Sequence, residues 1–278
     1  MLPDRGATVE GTQEEKTADS AGSGYRSRMT ARGIFAGFAV ATAFFTRIPV
    51  TAPACPAERL ADAAWAFPLV GAGIGGVTGC AFLLVQLLGL GDWPAALLAV
   101  LAGMVLTGAL HEDGLADTAD GLIGGNDRDQ RLAIMRDSQH GTFGVVAIVF
   151  SVLLRTAALA GIGQPILAGL ALIAAHAASR AALPFAMRAL APARTEGLGA
   201  TAGRPSPSLA IGALAIGLLI ILAALGPKRG AIAAGLVGAA VFGLGLLAHR
   251  RIGGYTGDVL GAFQQTGEIV MLLTAAAK

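Results

Sequence analysis

Long apolar stretches separated by short polar ones fill residues 66–277. Runs of 17 residues or more fall at about 66–89, 94–110, 143–161, 165–187, 209–226, 230–248 and 258–277. At 1.5 Å per helical residue, each is long enough to cross a hydrocarbon layer of about 30 Å. The pattern predicts an all-α fold, a polytopic integral membrane bundle of about seven spans. An eighth apolar run, Gly33–Phe45, has only 13 residues and is followed by Arg47 and Pro49. It is too short to span and is read as an interfacial or re-entrant helix. Residues 1–30 are polar and too weakly apolar for a core or a signal-peptide segment, so they are read as a disordered cytosolic tail. Residues 31–278 then form the membrane-embedded domain. Small residues recur four apart at Gly71, Gly75 and Gly79 and at Gly235, Ala239 and Gly243, which predicts close helix contacts. The glycine run at 71–76 follows no strand, so it is read as helix packing and not as a nucleotide-binding loop.

Composition agrees with the pattern. Of 278 residues 54% are hydrophobic and 14% charged, against about 25% charged in soluble domains. Mean hydropathy is +0.67. The net charge of +2 is unevenly placed. With the N-terminus inside, the inner loops collect Arg47, Arg59, Arg128, Arg131, Arg136, Arg188, Arg194, Arg204, Arg250 and Arg251, and the outer loops hold only Lys228 and Arg229. The positive-inside rule therefore puts the N-terminus and every long polar loop in the cytoplasm. A lipid bilayer is the implied environment, and no nucleic-acid partner is expected. Cys55 and Cys80 have neither zinc-site nor disulfide-framework spacing.

Seven of the eighteen carboxylates lie between His111 and His140: Glu112, Asp113, Asp117, Asp120, Asp127, Asp129 and Asp137. Asp113, Asp117 and Asp120 stand at i, i+4 and i+7, within roughly 60° of one helical face. No basic residue shares their turns, and like charges on one stripe repel. A hard divalent cation takes oxygen ligands from one or two carboxylates together with substrate phosphate oxygens. The stripe is therefore read as a Mg²⁺ and diphosphate site at the inner end of a span. Asp127 and Asp129 are read instead as helix-start residues, with Asn126 as cap and Asp127 pairing with Arg131. Residues 128–142 are expected to form a short amphipathic surface helix that returns Asp137 to the other acids.

Two blocks, Thr107-Gly-Ala-Leu-His-Glu-Asp-Gly-Leu-Ala-Asp-Thr-Ala-Asp-Gly and Arg131-Leu-Ala-Ile-Met-Arg-Asp-Ser-Gln-His-Gly-Thr-Phe-Gly, resemble the signature of the adenosylcobinamide-GDP ribazoletransferase, or cobalamin synthase, family. Phe44-Phe-Thr-Arg-Ile-Pro, Phe67-Pro-Leu-Val-Gly and Gly253-Gly-Tyr-Thr-Gly-Asp-Val-Leu-Gly-Ala support the match, which covers about 33–277. Gln139-His140 departs from the family's pattern there. The resemblance implies joining of adenosylcobinamide-GDP to α-ribazole, or its 5′-phosphate, with release of GMP and Mg²⁺ as cofactor, at the bacterial inner membrane. It leaves open a homo-oligomer and docking by other cobalamin-pathway enzymes.

The candidate site combines Asp113, Asp117 and Asp120 as metal ligands with Asp137 as a fourth catalytic carboxylate. Substrate binding is assigned to Arg47, Arg131, Arg136, Arg180 and Asp258. A guanidinium binds phosphate oxygens in a bidentate fork, which suits Arg131 and Arg136 to a diphosphate. Arg180 lies roughly 12 Å inside its span by helix rise, and intramembrane charges tend to mark function. Arg155 and Glu268 are equally compatible with structural roles. A CDP-alcohol phosphotransferase also sets Asp-Gly on a helix above Mg²⁺, but its later acidic pattern does not match Asp117-Thr118-Ala119-Asp120. A prenyltransferase of the ubiquinone-pathway type would carry a second acid-rich motif of the DxxxD kind. An ion-coupled transporter would place its acids at the midplane.

Overall fold

The computed structural model describes residues 31–50 and 60–277. The expected N-terminal tail, Cys55 and Arg59 lie outside the described residues. The chain divides into two compact units, Met1–Phe35 and Ala36–Lys278; of the first, only the opening turn of α1 is among the described residues.

The fold is helical. In chain order the helices are α1 Ala31–Phe45, α2 Phe67–Leu87, α3 Asp92–Thr107, α4 Leu110–Gly124, α5 Arg128–Ile134, α6 Thr142–Ile162, α7 Pro165–Ala181, α8 Leu183–Ala189, α9 Leu198–Thr201, α10 Pro207–Leu225, α11 Pro227–Ile252 and α12 Gly257–Ala276. Prolines open α2, α7, α8, α10 and α11 in their first turn, where the missing N–H has no helical partner in any case. Among the described residues six helices are long and apolar enough to cross a membrane, or seven if α3 and α4, bent by 91°, count as one span. Their large apolar side chains face outward, among them Leu84, Phe150, Leu219 and Phe242, while charged and amide groups sit inside. A lipid solvent favours this distribution.

α12 is the central helix and touches α4, α6, α7 and α11. α2 lies along α7. A Cβ on Gly71 would collide with the main chain of His176, and one on Gly75 with that of Leu172 and Ile173, so this glycine stripe works as the sequence predicts. The second small-residue stripe does not: Gly235 and Gly243 have open space around them. α11 packs through Ala233, Val237, Gly245, Ala248 and Ile252 instead, the face that it turns to α10 and α12.

The break between α3 and α4 sets the site. Gly108 and Ala109 both take left-handed conformations, at φ 66° and 55°. Ala109 is the only non-glycine residue with positive φ among the described residues, a conformation costing about 1–2 kcal/mol. The turn is held by Arg47, whose N–H donates to the Leu106 carbonyl at 2.8 Å. The Arg47 guanidinium covers Gly108, where a Cβ would strike Nε. α4 then lies outside the six spanning helices. The expected surface helix is shorter than anticipated, ending at Ile134, and its cap is Asp127, not Asn126: the Asp127 carboxylate accepts from Gln130 N at 2.9 Å. Asp127 therefore does not pair with Arg131.

Candidate active site

α4 crosses α12 where Gly114 meets Gly261. A Cβ on Gly114 would come within 2.8 Å of the Asp258 carbonyl and 3.2 Å of Gly261 Cα. This approach brings Asp113 and Asp258 into the lining of one cleft of about 320 Å³, whose apolar lining includes Phe44, Phe45, Phe67 and Met187. Gly114→Val should separate the two helices and abolish activity while leaving membrane insertion intact; turnover of the purified variant checks this.

Asp113 and Asp117 stand one turn apart beside His140. His140 Nε2 is 3.5 Å from Asp113 Oδ1, and Nδ1 is 3.4 Å from Asp117 Oδ1. One ligand atom from each of the three lies within 4.8 Å of the others. Burial, helped by the charges of Asp113 and Asp258, pushes the Asp117 carboxyl up from 3.8 to about 6, against the pull of His140. Two carboxylates with an open front suit Mg²⁺, which keeps positions for water and phosphate oxygens; the imidazole widens the donor set toward softer ions.

Asp120 lies beside this group, its charge adding to those that raise the Asp117 pKa, but it is engaged by the main chain. Its carboxylate is 7% exposed and both oxygens are engaged, accepting from Gly141 N at 2.7 Å and Gly144 N at 2.9 Å. It caps the start of α6, where a negative charge also meets the helix dipole. Gly141 and Gly144 leave room for it, since a Cβ on either would strike the carboxylate. The helical-face argument groups Asp120 with Asp113 and Asp117 but does not see α6 arriving on that side. Asp137 is exposed, and its carboxylate accepts from Gln139 N at 3.0 Å, which shapes the turn before His140.

The basic candidates separate likewise. Arg131 is buried and turns inward, donating to the carbonyls of Asn126 at 3.0 Å and Arg251 at 3.4 Å. It braces the α4–α5 turn and offers no fork to a diphosphate. Arg180 is fully buried, its guanidinium 5.2 Å over the Phe45 ring, and does not line the cleft. Arg47 covers the α3–α4 turn. Arg136 is exposed. Asp258 accepts from Thr256 Oγ1 at 3.0 Å and pairs with Arg194 at 3.5 Å.

Arg194 and His140 are the residues that sequence reasoning passes over. Arg194 reaches the site because Ala193 N donates to the Tyr255 carbonyl at 2.7 Å and Tyr255 N to the Ala191 carbonyl at 2.9 Å. Nothing in spacing relates residues 194 and 258. Burial lowers the Arg194 pKa, with Asp258 pulling the other way.

Behind the cleft lies a buried polar network. Arg155 donates to Glu112 Oε1 and Glu268 Oε1, each at 3.0 Å. Gln265 Nε2 donates to the same Glu112 oxygen at 3.1 Å, and Gln264 Nε2 to Glu268 Oε2 at 2.6 Å. His176 Nδ1 stands 3.2 Å from Glu268 Oε2. Glu112 thereby ties the first turn of α4, next to Asp113, to α6 and α12.

Fold and site together define a polytopic helical-bundle enzyme whose acidic group stands at a bend in an apolar helix pair, facing a cleft. The chain belongs to the cobalamin-5-phosphate synthase family, whose family model matches residues 37–276. It is 47% identical to the adenosylcobinamide-GDP ribazoletransferase of Bradyrhizobium diazoefficiens, over 89% of this chain and 96% of the relative. It is also 47% identical to that of Azorhizobium caulinodans, over 86% and 95% of the two chains. Against that of Mesorhizobium japonicum the identity is 42%, over 89% and 95%. No solved structure matches the chain.

Proposed function

We propose that the chain transfers the adenosylcobinamide phosphoryl group from adenosylcobinamide-GDP to α-ribazole, or α-ribazole 5′-phosphate, releasing GMP. The reaction depends on Mg²⁺ and takes place at the cytoplasmic face of the bacterial inner membrane. The observation that carries this reading is the convergence of Asp113, Asp117 and His140 beside an apolar cleft, in a chain closely similar to named ribazoletransferases.

A hydroxyl oxygen of the acceptor's ribose forms the new bond to the phosphorus that carries cobinamide. The bond from that phosphorus to the oxygen of GMP breaks, and the hydroxyl proton passes to a carboxylate of the cleft. Phosphoryl transfer needs alignment and charge neutralisation more than covalent help from the protein. Asp113 and Asp117 would hold Mg²⁺, which neutralises charge on the diphosphate when bound. Asp258, fixed by Thr256 and Arg194, lines the cleft together with Asp113, where it orients the acceptor's ribose. The aromatic lining takes the flat base. Asp120 acts through the main chain of 141–144, fixing the start of α6.

Detergent-purified protein incubated with adenosylcobinamide-GDP, α-ribazole and Mg²⁺ should yield GMP and adenosylcobalamin by mass analysis, and EDTA should stop the reaction. Absence of GMP with both substrates and metal present overturns the reading. Orientation rests on the arginine distribution. In a Cys55→Ser/Cys80→Ser background, Asp129→Cys, at a side chain 92% exposed, should resist impermeant thiol reagents in intact cells and react after lysis. Ready labelling in intact cells reverses the topology.

A further inference from the structure

Beyond the cleft, Arg128, Arg136 and Arg194 line an open groove of about 420 Å³. Arg194 belongs to the walls of both cleft and groove, so the two lie on either side of one side chain. Arg128 is held by the main chain, donating from Nη2 to the Ala193 carbonyl at 2.7 Å and from Nε to that of Ile252 at 3.1 Å. Arg194 donates to the Leu132 carbonyl at 3.3 Å. Arg136 has no ion pair or side-chain hydrogen bond among the described residues. Asp129, 3.3 Å from Arg128, is the one carboxylate among the described residues that line the groove, and Asp258 pairs with Arg194 from the cleft side at 3.5 Å, which leaves Arg136 as the guanidinium without a carboxylate partner. Arg136 and Arg194 act on each other as like charges.

We propose that this groove is a subsite for a nucleoside 5′-monophosphate, with Arg136 and Arg194 as its phosphate ligands and Arg128 as its fixed wall. The inference deepens the proposed transfer reaction, since the acceptor α-ribazole 5′-phosphate carries this group apart from the reacting diphosphate; GMP, whose phosphate comes from the diphosphate, is a second probe of the same chemistry. A phosphate monoester brings about 1.5–2 negative charges at neutral pH, which the unpartnered Arg136 guanidinium attracts. Two of the three arginines are already ordered by carbonyl contacts, so little side-chain freedom is lost on binding. A nucleotide with its base on the aromatic lining and its ribose beside Asp113 and Asp258 extends its 5′ end past the Arg194 rim. The diphosphate then lies at Asp113 and Asp117, and the monoester lies in the groove. Sequence reasoning, which assigns Arg131 and Arg136 to the diphosphate, does not separate these two places.

The test is calorimetric binding to the full chain in detergent, with EDTA present so that the acidic group is not recruited. GMP is compared with guanosine, and α-ribazole 5′-phosphate with α-ribazole. In the wild type each 5′-phosphate should tighten binding at least tenfold, and in Arg136→Ala the advantage should shrink to within about twofold. Arg136→Lys should recover only part, because an ammonium lacks the planar fork. Loss confined to the α-ribazole pair assigns the groove to the acceptor, and loss confined to the guanosine pair puts a phosphate of the diphosphate in the groove and overturns the proposal. Nucleotide and nucleoside binding equally in the wild type, or an undiminished advantage in Arg136→Ala, overturns the proposal. GMP release by the wild type reads the reaction separately, so failure of the groove and failure of the reaction are distinguishable.

Discussion

Asp117→Asn should lower the rate of GMP release by two to three orders of magnitude, roughly 3–4 kcal/mol of transition-state stabilisation, while the protein still inserts and purifies. Asn preserves size but removes the charge that lies 3.4 Å from His140 and one turn from Asp113. Asp120→Asn offers the contrast. Its carboxylate touches Gly141 N and Gly144 N, so the variant loses one accepting oxygen and about 0.5–2 kcal/mol of helix-capping stability. It should keep far more activity than Asp117→Asn; equal losses in the two variants would return Asp120 to the metal group. The Asp117 carboxyl also predicts a pH dependence. With its pKa held up at about 6, it is ionised above that value and protonated below it. Protons therefore compete with the cation, and the Mg²⁺ concentration for half-maximal rate should rise as pH falls through 6. Asp113→Asn, which removes one of the charges that raise this pKa, should shift that rise to lower pH. A Mg²⁺ requirement that is flat from pH 5 to 8 would sink the assignment.

The second large effect is structural. Arg155 is 2% exposed and lies between Glu112 and Glu268. Arg155 and Arg180 balance Glu112 and Glu268, so the buried quartet carries no net charge. Arg155→Met leaves two carboxylates in an apolar interior with one guanidinium fewer, and should destabilise the fold by about 3–5 kcal/mol. Heating in detergent followed by size-exclusion chromatography measures the loss. Lys should restore little, because one ammonium cannot span two helices with the parallel donors of a guanidinium. The variant Arg155→Met/Glu112→Gln returns the interior to neutrality and should recover a large part of the stability. If it is no more stable than Arg155→Met alone, an unpaired buried charge is not the cause. Because Glu112 precedes Asp113, the double variant should remain slow even where it is stable.

The helices were legible because the period and length of apolar runs respond to one local requirement, a continuous hydrogen-bonded backbone in an apolar surrounding. The stripe Gly71, Gly75, Gly79 was legible for the same reason, since it meets α7 through its own backbone shape. The stripe Gly235, Ala239, Gly243 was misread because small residues permit a close approach without specifying a partner. The acids of α4 were recognised by their spacing and absent counter-charges. Which of them share a site was not, because the helical face says where a carboxylate points and nothing of what comes to meet it.

By itself the sequence determined the helical bundle, the acid-rich segment and the family, all carried by contiguous residues whose spacing maps directly onto a helix. Only the tertiary structure decided that His140 joins Asp113 and Asp117, that Asp120 caps α6, that Arg131 braces a turn, and that Arg194 stands beside Asp258. Each of these depends on segments far apart in the chain meeting at a point. The left-handed turn at Gly108 and Ala109 and the bridge between Pro192 and Tyr255 set those meetings, and neither leaves a periodic signal in the residues it joins.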